Sequence, residues 1–233
     1  MRLLLCGGGS GDKTIEANKK LNEIIDHSKP ILYIPLALEK NRYDGCLKWI
    51  KEELKSVDVP FIDMVYSAEE ILEKNLNEYC AIFIGGGNTF KLLSELKESG
   101  AFFSVKKFID GNGIIFGGSA GATILGYDIN SCLYTDSNIV NIKDTKGFDC
   151  LNGKSLAAHY TNENREKTKR ATDYLTQYSR VAGPVIAIPE EITIFVDGEK
   201  IEFIGNKKSY YFESGKRKLI DFYIKKDISF DNR

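Results

Sequence analysis

The segment Ile114-Ile115-Phe116 runs without a break into Gly117-Gly118-Ser119-Ala120-Gly121-Ala122, and few backbones accept that combination. A short apolar run predicts a buried strand. The small residues behind it predict a bend too tight for bulky neighbours, turning at once into a helix. A serine at the apex of such a strand-turn-helix bend is held clear of the backbone, where a substrate can reach its hydroxyl. The next amide, that of Ala120, falls at a helix N-terminus with its N–H free for a developing oxyanion. Alone, the run also fits a flexible turn or an anion-binding helix start.

A nucleophilic serine needs a base, and the chain has only two histidines. His27 lies in Asp26-His27-Ser28-Lys29-Pro30, a polar turn, and reads as a solvated loop residue. His159 closes the apolar run Ser155-Leu156-Ala157-Ala158, at a strand end of the kind where open α/β sheets place functional side chains. It is the expected partner of Ser119.

Around this pair, short apolar runs alternate with amphipathic stretches, as in βαβ units built on a parallel sheet. Strands are expected at Leu3 to Cys6, Ile31 to Pro35, Pro60 to Met64, Ala81 to Ile84 and Ile114 to Phe116. Helices are expected near residues 12–27, 40–55, 68–77 and 89–110, the last broken near Gly100. Ser67-Ala68-Glu69-Glu70 has capping-box spacing and marks a helix start. Residues 128–154 read as loops and short strands, a helix follows over 163–178, and Pro184 to Ile188 reads as a buried strand. Asp197-Gly198 predicts a hairpin turn between Ile194 to Val196 and Ile201 to Phe203.

The 233 residues, 42% of them hydrophobic, suffice for a substantial core and read as a single domain, 1–233. With 32 basic against 33 acidic residues, and no basic block interleaved with aromatics, nucleic acid is not an expected partner. Five cysteines without Cys-x-x-Cys spacing suggest neither a disulfide framework nor a zinc site. No metal or cofactor is called for. The apolar stretch after Met1 is too short for a signal peptide and no run spans a membrane, so a cytoplasmic protein without a membrane partner is expected, as monomer or homodimer.

Two other glycine clusters invite a reading. Gly7-Gly8-Gly9-Ser10-Gly11-Asp12-Lys13-Thr14 departs from a phosphate loop because Asp12 stands where glycine must precede the lysine; close backbone packing near the site is the expected role. Gly85-Gly86-Gly87-Asn88-Thr89-Phe90 follows a strand and opens a helix for which Asn88 is a good N-cap. Turns after neighbouring strands converge on one sheet edge, so Gly86 or Gly87 can supply the second oxyanion donor.

Gly85-Gly86-Gly87-Asn88-Thr89-Phe90, Gly118-Ser119-Ala120-Gly121-Ala122 and His159-Tyr160-Thr161, in this order and spacing, resemble the peptidase family of dipeptidase E (aspartyl dipeptidase) and cyanophycinase. The resemblance covers nearly the whole chain. It implies a three-layer α/β/α sandwich of the class I glutamine amidotransferase-like kind, with a mostly parallel central sheet and C-terminal β-hairpins. It also implies a serine exopeptidase acting on short peptides, with an N-terminal aspartate as the dipeptidase E preference. Ser119 becomes the nucleophile and His159 the general base. Glu190 and Asp136 both match carboxylates implicated as third member; Glu190 is favoured because a strand end positions it more rigidly than a long loop. Glu191 substitutes only if the strand register shifts by one. Arg165 matches an arginine that recognises the substrate's acidic residue, although the segment leading to it is shorter than in dipeptidase E. Asn88, Thr89 and Tyr160 are further substrate-binding candidates. Another serine-dependent amide or ester hydrolase, or a non-catalytic binding module on the same fold, remains open. A glutamine amidotransferase is disfavoured, since serine holds the elbow and no thiol lies between Cys80 and Cys132.

Overall fold

The computed structural model describes residues 1–161 and 163–220; Asn162 and the segment 221–233 lie outside the described residues. The chain runs β1 (Arg2–Cys6), α1 (Ile15–Ile24), β2 (Ile31–Ile34), α2 (Tyr43–Glu53), β3 (Ile62–Met64) and α3 (Glu69–Leu72). Then follow β4 (Ala81–Ile84), α4 (Thr89–Ser99), α5 (Ala101–Asp110), β5 (Ile114–Gly118) and the single turn α6 (Ala120–Thr123). The last part holds β6 (Ser155–Ala157), α7 (Arg165–Val181), β7 (Val185–Ala187), β8 (Thr193–Asp197), β9 (Lys200–Ile204), β10 (Tyr210–Glu213) and β11 (Lys216–Leu219).

Seven strands form the central sheet of a three-layer α/β/α sandwich, in the order β3-β2-β4-β5-β1-β8-β9. The first five strands in sequence pair in parallel, while β8 runs antiparallel to β1 and β9 to β8. The middle strands are covered on both faces, which is why they read as unbroken apolar runs rather than alternating ones. Leu3, Leu4, Leu5, Ile82, Ile84 and Ile115 are fully buried. Each such side chain stabilises the fold by about 1.5–3 kcal/mol.

A second sheet, β11-β10-β7-β6, lies under α7 with its own core of Tyr160, Leu175, Val185 and Phe212. The C-terminal strands form the expected hairpins. In the first, Asp197 pairs with Lys200, so the two-residue loop is Gly198-Glu199, one position later than expected, with Gly198 at positive φ. Gly100, also at positive φ, separates α4 from α5 as the sequence suggested.

Four local expectations need correction. The stretch 68–77 yields only the four-residue α3 and a separate 3-10 turn at Leu76–Glu78. Ser67 does not cap the helix: Ala68 holds the N-cap position, and Glu70 reaches past it to accept from the Tyr66 amide at 2.9 Å. Between 128 and 154 the described backbone has no strand, only a 3-10 turn at Ile129–Cys132 and one bridge from Asp128 to Lys146. The third expected strand begins at Ile62 rather than Pro60. All five cysteines are buried free thiols. Among the described residues no helix is long and apolar enough to cross a membrane.

Candidate active site

The strands β4, β5 and β1 are neighbours, so the three glycine turns that follow them leave the same sheet edge side by side. Register then fixes what meets what. Gly117 pairs with Ile84 and Gly118 with Cys6, which brings Gly86 and Gly7 alongside Ser119. The Ser119 amide donates to the Cys6 carbonyl at 3.0 Å, and its own carbonyl accepts from Ala122 and Thr123 to start α6. Between these anchors Ser119 takes φ 54 and ψ −108. For a residue with a side chain that conformation costs on the order of 1–3 kcal/mol, and it throws the hydroxyl outward.

The Ser119 Oγ lies 2.7 Å from Nε2 of His159, and Nδ1 of His159 lies 3.0 Å from Oε1 of Glu190. With Nδ1–H donated to the carboxylate, Nε2 is the ring nitrogen left to accept the serine proton. His159 is itself at positive φ, with its amide donating to the Gly7 carbonyl at 3.0 Å. The first glycine cluster has the expected role of close packing. A Cβ on Gly7 would stand 1.9 Å from the Pro189 carbonyl oxygen, and one on Gly8 would stand 2.3 Å from the His159 ring. These two glycines allow the histidine and the Pro189-Glu190 turn to close over the end of β1.

Sequence reasoning missed Lys13. Its Nζ donates to Oε2 of Glu190 at 2.6 Å, so each oxygen of that carboxylate has one partner, His159 on one side and Lys13 on the other. Burial pushes the Glu190 carboxyl up, but the bonds from Lys13 and His159 outweigh it and hold the group below its ordinary value. The same ion pair raises Lys13. Nothing local in the sequence announces a pairing across 177 positions.

Of the two glycines offered as oxyanion donors, Gly86 faces the serine, 3.2 Å from Ser119 Cβ to the position its own Cβ would take; Gly87 packs instead on the Ala37 carbonyl. The amides of Gly86 and Ala120 donate to no backbone carbonyl among the described residues.

A cleft of about 740 Å³ opens on the His159 side of the serine. Its walls carry Lys13, Asp136, Lys167, Arg170, Glu190 and the ion pair of Glu163 with Lys207. Several sequence candidates have other work. Asp136 lines the same cleft as His159 but makes no hydrogen bond to it; its Oδ2 accepts from the Thr89 amide at 2.9 Å and the Thr89 hydroxyl at 2.6 Å, closing the N-terminus of α4. Thr89 is thereby buried. Asn88 caps the same helix through the Lys91 amide and donates to the Ser137 carbonyl. Tyr160 borders the cleft but is fully buried, its hydroxyl held by Thr172 and Arg217. Arg165 lines a different surface depression, with Lys169, Asp173 and Arg217. The cleft arginine is Arg170, one and a half turns further along α7. His27 sits on an exposed turn against the Asp58 carbonyl, as expected.

Comparison with known proteins bears on family and fold. The family model for peptidase family S51 matches residues 3–204. Peptidase E of Shewanella denitrificans is 27% identical over 224 residues, covering 94% of this chain and 91% of its own. Peptidase E of Shewanella amazonensis is 26% identical over 201 residues, covering 84% and 83%. Among solved structures, a peptidase from an acI-B1 Actinobacterium superposes with a TM-score of 0.71 at 16% identity, over 94% of this chain and 93% of its own. A peptidase E candidate from Listeria monocytogenes gives 0.69 at 23%, over 88% and 98%. At these identities the structures speak for the fold, whereas the family match runs from the first strand through the β8–β9 hairpin and takes in every turn described above. The chain therefore belongs to peptidase family S51, a family of serine-type peptidases.

Proposed function

We propose that the chain is a serine exopeptidase for short peptides, with Ser119, His159 and Glu190 as its triad. Ser119 Oγ attacks the scissile carbonyl while His159 Nε2 takes the hydroxyl proton. The amides of Gly86 and Ala120 receive the oxyanion. As the tetrahedral intermediate collapses, the C–N bond breaks and the leaving amine takes the proton from His159. Water, deprotonated by His159, then attacks the acyl-enzyme ester and releases Ser119. Glu190 keeps the imidazole in the required tautomer and stabilises its charged form, and Lys13 keeps Glu190 in place.

Lys167 and Arg170 stand three residues apart on one face of α7 and turn into the cleft without an ion-pair partner among the described residues. They suit the free carboxylate of a leaving residue, as a dipeptide provides. A preference for N-terminal aspartate loses its expected carrier, since Arg165 lines another depression.

The observation that carries the reading is the unbroken relay from Ser119 through His159 to Glu190, at 2.7 and 3.0 Å. Ser119→Ala should lower dipeptide turnover by roughly four to six orders of magnitude. A variant keeping a tenth of wild-type turnover would exclude Ser119 as nucleophile.

A further inference from the structure

Ser119 borders a second cavity, separate from the cleft that holds His159. It measures about 100 Å³ and is lined by the rings of Trp49, Phe83 and Phe116, by Cys6, and by the glycines Gly8, Gly9, Gly86 and Gly118 beside Ser119. Phe83 and Phe116 stack at 4.5 Å between centroids, and Trp49 stands edge-on to Phe83 at 6.2 Å. Trp49 is 40% exposed, so it forms a wall open to solvent on its outer side. The polar part of the lining is Thr14 and Glu53. The Glu53 carboxylate accepts from the Gly11 amide at 3.0 Å, from Asn18 Nδ2 at 3.1 Å and from the Thr14 hydroxyl. No lysine, arginine or histidine among the described residues lines this cavity.

We propose that this cavity is the acyl-side specificity pocket, receiving a small apolar side chain from the residue whose carbonyl Ser119 attacks; the proposal rests on the nucleophile assigned above. His159 must hand its proton to the leaving nitrogen, so the leaving residue occupies the His159 side. The acyl residue then extends the other way from Ser119, into the aromatic cavity. Size and charge define what fits. An apolar cavity of about 150 Å³ accommodates benzene, so this smaller one suits about three or four carbons, the size of a valine or leucine side chain. An acidic side chain would meet a carboxylate and no cation, and burying it unpaired is unfavourable. The pocket therefore selects against aspartate at the position where the dipeptidase E pattern expects it.

Gly118 offers a direct handle. A Cβ there would approach nothing closer than 3.9 Å, the nearest ring atom being Phe83 Cε1, so alanine narrows the pocket without a clash. Trp49→Ala does the opposite and widens it. The test is kcat/KM for p-nitrophenyl acetate, butyrate, isovalerate, hexanoate and succinate, on wild type and both variants, with Ser119→Ala as control. Wild type should favour isovalerate over acetate by about tenfold or more, the discrimination expected of added methylenes in an apolar pocket. Succinate should be hydrolysed more slowly than butyrate. Gly118→Ala should move the optimum toward acetate, and Trp49→Ala toward hexanoate. These shifts run in opposite directions, which a generally damaged site would not produce. An optimum unmoved in both variants, or succinate hydrolysed as fast as butyrate, would overturn the pocket while leaving the nucleophile standing. Ester turnover persisting in Ser119→Ala would instead overturn the nucleophile reading.

Discussion

Gly8→Ala should disable the site while leaving the fold in place. The new Cβ would stand 2.3 Å from Cε1, 2.6 Å from Nε2 and 3.0 Å from Nδ1 of His159. Carbon atoms rest at about 3.5–4.0 Å, so the ring must retreat by about 1 Å or more. The contact at stake is the 2.7 Å approach of Nε2 to Ser119 Oγ, and such a retreat carries it past hydrogen-bond reach. A misplacement of about 1 Å costs roughly 10²-fold in rate, and losing a general base altogether roughly 10²–10⁴. We expect kcat/KM to fall by about 10²–10³, mostly through kcat. Gly8 also holds φ +112, which adds about 1–3 kcal/mol of strain for alanine and lowers the melting temperature by several degrees. Gly11→Ala separates the two effects. Gly11 has φ +59, and a Cβ there meets nothing within 4 Å, so that variant carries only the backbone penalty of about 1–2 kcal/mol. The assay is dipeptide kcat/KM beside thermal denaturation for both variants. Equal activity in the two would refute the claim that Gly8 is glycine to admit the histidine ring.

Glu190→Gln should reduce kcat by about 10³–10⁴, the cost of presenting the wrong histidine tautomer. Asp136→Ala should instead lower the melting temperature by a few degrees, since it removes a helix-terminus partner worth about 1–2 kcal/mol, and should leave kcat near wild type. The reverse ranking would transfer the third position to Asp136. Lys13→Met should move the acid limb of the kcat/KM profile to higher pH, because Lys13 helps hold the Glu190 carboxyl below its ordinary value against burial. The sign follows from charge: without the Lys13 ammonium the Glu190 carboxyl takes up its proton at higher pH, so the ionised form that faces His159 is lost earlier as pH falls. Lys13→Arg should restore the limb, and a limb unmoved by Lys13→Met would reduce the lysine to a surface ion pair.

What the sequence revealed was local or periodic. The parallel strands announced themselves as apolar runs, the elbow as small residues around a serine, and the α4–α5 break as Gly100. Failures came where a side chain's target is set by distant chain. Arg165 and Arg170 both lie near the start of α7, and which of them faces the cleft depends on where the first helical turn begins. Asn164 caps that turn by accepting from the Lys167 amide, which turns Lys167 and Arg170 inward. Tyr160 follows the histidine and packs its ring into the core under α7 while still bordering the cleft. Thr89 and Asp136 find each other across 47 positions, and Lys13 finds Glu190 across 177, with no periodicity to betray either pairing. The capping-box motif misled because Glu70 reached one residue past its expected partner.

The strain at Ser119 explains why the proposed nucleophile sits where it does in the sheet. A conformation costing a few kcal/mol persists only if its neighbours over-determine it. On one side β5 is pinned to β1, from Arg2 with Ile114 through Cys6 with Gly118, and the Ser119 amide extends that pairing. On the other side Ile82, Phe83 and Ile84 of β4 lock Ile115, Phe116 and Gly117. These are among the most deeply buried residues of the protein, and the burial of any two of the fully covered ones outweighs the strain. An edge strand would have a partner on one side only and more freedom to relax. The central position of β5 thus makes a rigid bend affordable, and it brings the turns of β4 and β1 to either flank, so one feature of strand order supplies both the strained serine and the groups that serve it.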